Sequence, residues 1–184
     1  MSGVILIIIK NMKLFVIKRI WPERSAVSMN TIKDTIQFAM NARKKAYTPY
    51  SHFKVGACLV AKNGQIFTGC NIENAGYSST NCAERTAFFK AVSEGVQEFE
   101  SITIIGGSEK QGIQDFCPPC GVCLQVMMEF CDPEKFQIIL AKSNEEYQIY
   151  TLKDLLPHGF GRGNISWNFM RYIKKIWKAQ WKNL

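Results

Sequence analysis

Three cysteines and one glutamate stand at spacings that suit a metal centre. They lie in Asn81-Cys82-Ala83-Glu84-Arg85-Thr86-Ala87 and, downstream, in Pro119-Cys120-Gly121-Val122-Cys123. We read Cys82, Cys120 and Cys123 as ligands of one zinc ion, with the fourth position left for water. Glu84 follows the first ligand by two residues, too close in the chain to be an easy fourth ligand. It is well placed to exchange protons with that water. Three protein ligands plus water is the arrangement of a catalytic zinc, whereas structural sites are closed by four. Three thiolates leave the site one negative charge in excess, which weakens the metal as a Lewis acid. Both ligand groups fall at expected helix starts, where free backbone N–H groups favour negative charge. Arg85 has two readings, a hydrogen-bond donor to thiolate sulfur or a surface residue of an amphipathic helix.

The cysteines admit other groupings. Cys117-Pro118-Pro119-Cys120 is a second, overlapping C-x-x-C pair. As a redox pair it is unusual, since such motifs open a helix after a strand and here two prolines intervene. Cys117 could also close a four-thiolate structural site and make the chain a non-catalytic zinc-binding module, but such a site has no use for Glu84. His52 and His158 stand outside any ligand spacing and read as loop residues.

The elements that must position these groups fit one domain. A chain of 184 residues is long enough to bury a core and carry attached segments. With 47% hydrophobic and 21% charged residues, disorder is not the default. The seven cysteines are an odd number, and Cys58, Cys70, Cys117 and Cys131 show no disulfide spacing. Metal ligands must be thiolates, so the expected compartment is the reducing cytoplasm. The net charge of +8 sits at the ends: +4 in residues 1–28, +6 in 162–184 and −2 between them. It therefore assigns no nucleic acid to the site.

Thr31–Ala46 has helical periodicity, with Thr31 as cap, and ends at Pro49. Phe53–Val60 and Gln65–Asn71 read as strands joined by a turn with an Asn63-Gly64 hairpin signal. Cys82–Val92 is helical, Ile102–Ile105 a short buried strand, Gly121–Cys131 a helix and Phe136–Ala141 a strand. Tyr147–Tyr150 is a fifth strand and Leu152–Leu156 a turn of helix. Strands alternating with helices give an α/β class, a three-layer α/β/α sandwich around a mixed five-stranded sheet.

The expected organisation is an N-terminal extension over 1–28, a domain over 29–161 and a basic amphipathic extension over 162–184. Lysines interrupt the apolar run that opens at Val4, leaving no span near the ~18 residues of a membrane helix. No small-x-small site follows as in a signal peptide. Residues 1–28 read as an appendage outside the fold, as an upstream start unused in the native protein, or as a membrane-surface anchor. Over 165–182, Ile165, Phe169, Ile173, Trp177 and Trp181 recur every four residues, with Arg171, Lys175, Lys178 and Lys182 on another side. That pattern suits a membrane surface, a nucleic-acid contact, or docking on the core or on another subunit.

A zinc ligand two residues before Glu, followed by Pro-Cys-x-x-Cys, resembles the zinc-dependent base deaminases. Many nucleic-acid and deoxynucleotide deaminases have His as first ligand. The all-thiolate set beginning at Cys82 is similar to the small cytidine deaminases that act on free nucleosides. Phe53-Lys54-Val55-Gly56-Ala57 and Gly69-Cys70-Asn71-Ile72-Glu73-Asn74-Ala75-Gly76-Tyr77-Ser78 extend the resemblance. From about Met29 to Phe160 the chain is similar to a homotetrameric cytidine deaminase.

On residues alone, Asn71 and Glu73 share a strand face and suit either sugar hydroxyls or solvent. The resemblance implies that they hold the ribose, that Phe53 stacks on the pyrimidine, and that the Ala83 N–H meets the base carbonyl. It implies that neighbouring subunits bring Ala75, Tyr77 and Phe160 to the substrate, and it favours Arg85 as the thiolate donor. The implied reaction is hydrolysis of cytidine and deoxycytidine to uridine and deoxyuridine with release of ammonia. Water must then attack C4 while Glu84 carries its proton to N3 and to the departing amine. Rival readings are a blasticidin-type nucleoside deaminase, against which the ribose-facing Glu73 argues, and a nucleic-acid editing enzyme. The latter finds no aromatic-basic groove inside the domain. The chain departs from the family at Leu124, where Arg is usual before Gln-Val, at Cys117 in place of a small polar residue, and in its basic ends.

Overall fold

The computed structural model describes residues 31–165. The 1–28 segment and, but for Ile165, the amphipathic pattern over 165–182 lie outside the described residues. Helix α1 (Ile32–Arg43) starts on a capping box: Thr31 Oγ1 accepts from the Asp34 N–H, and the Asp34 carboxylate accepts from Thr31 N. It ends short of Ala46 because Tyr47 is drawn into a bridge with Ile72, its N–H donating to Asn71 O at 3.1 Å.

Strands β1 (Phe53–Ala61) and β2 (Ile66–Cys70) form an antiparallel hairpin. Its turn differs from the type I′ form that Asn-Gly suggests. Gly64 has a φ of 80° but Asn63 does not share a positive φ, while Gly64 N donates to Ala61 O at 2.9 Å. This is the three-residue loop that ends on a left-handed glycine.

Helix α2 (Ala83–Ser93) leads into β3 (Phe99–Ser108), which is much longer than the expected Ile102–Ile105. Gly106 and Gly107 read as a strand end, yet they pair with Val55 and Lys54. Side chains are missing there because the 112–117 segment crosses closely: a β-carbon on Gly107 would lie 2.4 Å from Gly112 O. The chain continues through α3 (Gly121–Phe130), β4 (Gln137–Ala141), β5 (Tyr147–Thr151), α4 (Leu152–Leu155) and α5 (Arg162–Ile165).

The sheet order is β2-β1-β3-β4-β5, antiparallel except for the β3–β4 pair, so it is mixed and five-stranded as expected. Alternation along the strands divides the core between its two faces. On one face Ile36 and Ala39 of α1 cover Cys58, Ile105 and Ala141. On the other, Ala87, Phe88 and Ala91 of α2 and Leu124 and Met127 of α3 cover Ala57, Leu59, Ile102, Ile104, Ile138 and Leu140. Leu124, a departure from the family pattern, is thus an interior residue. Phe88 lies fully buried against the rings of Phe99, Phe130 and Phe136, and its truncation to Ala would cost about 3–5 kcal/mol.

One close approach fixes the start of α2. A β-carbon on Gly69 of β2 would lie 2.3 Å from Ala83 O and 2.5 Å from Ala87 N, so the helix backbone rests directly on the strand. Among the described residues no helix is long and apolar enough to cross a membrane.

Candidate active site

Cys82 is the N-cap of α2 and Cys120 the N-cap of α3, and neither helix has a side-chain cap bond. Cys123 lies one turn into α3 and is fully buried. The two helix starts bring the sulfurs together. Sγ of Cys82 and Cys120 are 3.9 Å apart, those of Cys120 and Cys123 are 3.5 Å apart, and all three lie within 4.8 Å of one another. Tetrahedral zinc at about 2.3 Å from each sulfur would separate them by about 3.8 Å. The donor set and its spacing fit zinc. Cys117 is not one of this cluster.

The electrostatics of the site follow from burial and from the shared protons. A hydrogen bond from the Cys123 thiol and another from Arg85 pull Cys82 down to about 5, well below the ordinary thiol range. The same contact with Cys82, together with burial, holds Cys123 as the thiol. Arg85 donates through Nη2 to Thr80 O at 3.0 Å and toward Cys82 Sγ at 3.6 Å.

Glu84, in the first turn of α2, is 4% exposed. Burial first, and then the Cys82 charge, push its carboxyl up to about 7, while the Cys123 thiol hydrogen-bonds it. A buried carboxyl shifted toward its neutral form, and in touch with the sulfur cluster, suits proton exchange in both directions. Cys117 is pushed up to about 11, chiefly by burial, with the charges of Glu84 and Cys82 adding to it. It is therefore a neutral thiol at pH 7. It packs on Gly106, where a β-carbon would lie 2.6 Å from its Sγ and 3.2 Å from the Phe53 ring.

The remaining candidate residues form a rim. Phe53 opens β1 and is 40% exposed. Asn71 Oδ1 accepts from Val55 N at 2.8 Å, and its Nδ2 donates to Phe53 O at 2.9 Å. Glu73 accepts from the N–H groups of Tyr50 at 3.0 Å and Ser51 at 3.2 Å and from the Ser51 hydroxyl. Asn71 and Glu73 therefore converge beside Phe53 while already holding protein groups. A cleft of about 380 Å³ opens there, lined by Tyr50, Ser51, Glu73, Tyr77 and Thr80. A second cavity of about 420 Å³ lies between the end of α3 and residues 161–164 and contains none of the candidate residues.

Ala83 is buried, Ala75 is exposed, and Tyr77 stands edge-on to Tyr50 at 6.1 Å between ring centres. Phe160 is exposed, its carbonyl tethered by Gln125 Nε2 at 2.7 Å. Three residues of this neighbourhood escape sequence reasoning: Arg43, Ser51 and Gln125. Each acts through backbone groups or another side chain brought near only by the fold, and no local spacing announces them.

Residues 29–139 match the family model of the cytidine and deoxycytidylate deaminase zinc-binding region. The chain belongs to this family. It is 43% identical over 136 residues to the cytidine deaminase of Sporosarcina psychrophila, covering 74% of this chain and 96% of that protein. It is 45% identical over 125 residues to the cytidine deaminase of Halalkalibacterium halodurans, with 68% and 90% covered. The crystal structure of cytidine deaminase from Burkholderia pseudomallei superimposes with a TM-score of 0.64 at 43% identity, covering 71% of this chain and 99% of that one. The present chain is thus a zinc-binding deaminase, and the sulfur cluster at the starts of α2 and α3 is suited to hold the zinc.

Proposed function

We propose that this deaminase acts on free nucleosides, hydrolysing cytidine and deoxycytidine to uridine and deoxyuridine with release of ammonia, as a step of pyrimidine salvage. The observation that carries the reading is the buried Glu84 carboxyl against the Cys82, Cys120 and Cys123 sulfurs. Cys82, Cys120 and Cys123 would hold zinc, which when bound would supply the Lewis acidity that makes water a nucleophile at neutral pH. Glu84 takes the proton of the attacking water and delivers it to N3 as the C4–O bond forms. It then carries the remaining proton of the new C4 hydroxyl to the amine, so that the C4=O bond forms as the C4–N bond breaks and ammonia leaves. Phe53 stacks on the base, and the Ala83 N–H, free at the first turn of α2, donates to the base carbonyl. Asn71 and Glu73 bind the ribose hydroxyls with the acceptor capacity left over from their backbone bonds. Arg85 offsets charge on Cys82.

The deaminase domain spans 29–161, with both ends as appendages. It assembles as a homotetramer in which neighbours bring Ala75, Tyr77 and Phe160 to the substrate. In support, Tyr77 at 76% and Phe160 at 58% are far more exposed than large apolar rings in a finished interior. The thiolate ligands suit the reducing cytoplasm. The deciding assay is ammonia release from cytidine, deoxycytidine, a blasticidin-type nucleoside and cytosine in single-stranded DNA. Turnover of the first two is expected; turnover confined to the oligonucleotide or to the antibiotic nucleoside would defeat the reading.

A further inference from the structure

Phe53 is held in an exposed position that packing alone does not fix. It is the first residue of β1, and its ladder partner Ser108 is the last of β3, so both strands end at this pair. Ladder ends open easily. On the β2 side the Asn71 amide brackets the Phe53–Val55 backbone, and Ser51 Oγ accepts from Phe53 N at 3.1 Å.

Arg43, the last residue of α1, works from the opposite face of the sheet. Its backbone lies against Gly56, where a β-carbon would come within 2.4 Å of Arg43 N. Its Nε donates to Lys54 O at 2.9 Å, and its Nη2 donates to Gly107 O at 2.8 Å and Ser108 O at 3.2 Å. A planar guanidinium can serve several carbonyls at once in a fixed fork. Here it ties the start of β1 to the end of β3 at the residue pair that carries the Phe53 ring.

We propose that Arg43 is a positioning residue for Phe53, fixing the ring for the base from the face of the sheet opposite the sulfur cluster. This rests on the reading that Phe53 stacks on the pyrimidine. Without Arg43 the strand ends open, the ring samples other placements, and binding must order it first. The chemistry is spared, because Cys82 and Glu84 ride on α2 and Cys120 and Cys123 on α3, none of which Arg43 bonds.

The test is steady-state kinetics on the zinc-loaded enzyme with cytidine, well below its Tm. Arg43→Met should raise KM about tenfold, a preorganisation effect of ordinary size, with kcat within about threefold and zinc content unchanged. Arg43→Lys, with a single donor head, should raise KM about threefold. The decisive arm is a double-mutant cycle. Phe53→Ala raises KM by itself, and in that background Arg43→Met should add less than about twofold. A merely structural Arg43 would lower Tm without moving KM, or raise KM equally in both backgrounds, and either result overturns the proposal. Should Arg43→Met fail to fold, Arg43→Lys carries the same cycle, and a native KM in it is likewise fatal. An unchanged KM in Phe53→Ala alone identifies failure of the stacking reading instead, and the role given to Arg43 falls with it.

Discussion

Gly69→Ala should cripple the enzyme from outside the active site. The new β-carbon would lie 2.3 Å from Ala83 O and 2.5 Å from Ala87 N, where ordinary contact begins at 3.4 Å. Both contacts are helix backbone and cannot rotate away, so α2 must retreat from β2 by about 1 Å, at about 1–3 kcal/mol of overpacking. Its first turn carries Cys82 and Glu84, whereas Cys120 and Cys123 ride on α3. A shift of that size is several times the about 0.2 Å tolerance of a metal–ligand distance. A misplacement of about 1 Å at reacting groups is enough for about a hundredfold loss of rate. We expect Gly69→Ala to bind less zinc and to lose at least about a hundredfold in kcat/KM, with the far-ultraviolet circular dichroism retained. Gly56→Ala is the matched control: its β-carbon would lie 2.0 Å from Ala39 O, on the α1 face. It should lose stability while keeping a full complement of zinc. Purified Gly69→Ala with full zinc and kcat/KM within threefold of the parent would refute the reasoning.

Glu84→Gln keeps the volume and removes the proton carrier, so zinc content and Tm should hold while kcat falls by about 10²–10⁴; substantial residual turnover would refute the proton role. Cys117→Ser exchanges a neutral, half-buried thiol outside the sulfur cluster and should retain zinc and activity, whereas Cys123→Ser should lose the metal. Release of zinc from Cys117→Ser, measured by atomic absorption, would show the ligand set to be wrong. Chelation should weaken hydrogen-exchange protection at the starts of α2 and α3 while leaving the capped start of α1 unchanged. Uniform loss, or none, would break the link drawn between metal and helix ends.

The chemistry-bearing residues are legible because ligands three apart, or on the N-cap of a helix, are placed by local geometry alone. Cys82 with Glu84, and Cys120 with Cys123, need only their own helix to start where its sequence says, whereas bringing the two groups together takes the fold. The strand boundaries are less legible where tertiary approach overrides a local rule. Gly106 and Gly107 punctuate the sequence like a strand end, but the crossing of the 112–117 segment makes them the only residues that fit inside β3. Ala46 reads as the tail of α1 until the bridge of Tyr47 to Ile72 is seen. Arg43 and Ser51 are silent for a different reason: their partners are backbone carbonyls and another side chain, which leave no mark in spacing.

The helix caps divide the fold into a scaffold and a metal-dependent part. α1 and α4 open on complete Thr-Asp capping boxes, formed by Thr31 with Asp34 and Thr151 with Asp154. α2 and α3 open on Cys82 and Cys120, with no side-chain cap bond. A missing cap costs about 1 kcal/mol per helix, a deficit the rest of the fold must offset. What the sulfurs offer instead is charge, since a thiolate at a helix start gains about 0.3–1 kcal/mol from the free N–H groups and dipole, and more when partly buried. Hydrogen bonding keeps Cys123 as the thiol while Cys82 takes the charge, so the metal-free cluster does not present three thiolates. Zinc makes all three sulfurs anionic and lets both helix ends collect that stabilisation together, with Arg85 contributing from the side. The same arrangement that relieves the excess negative charge on the metal therefore completes the starts of α2 and α3, and metal affinity and local folding draw on one free energy.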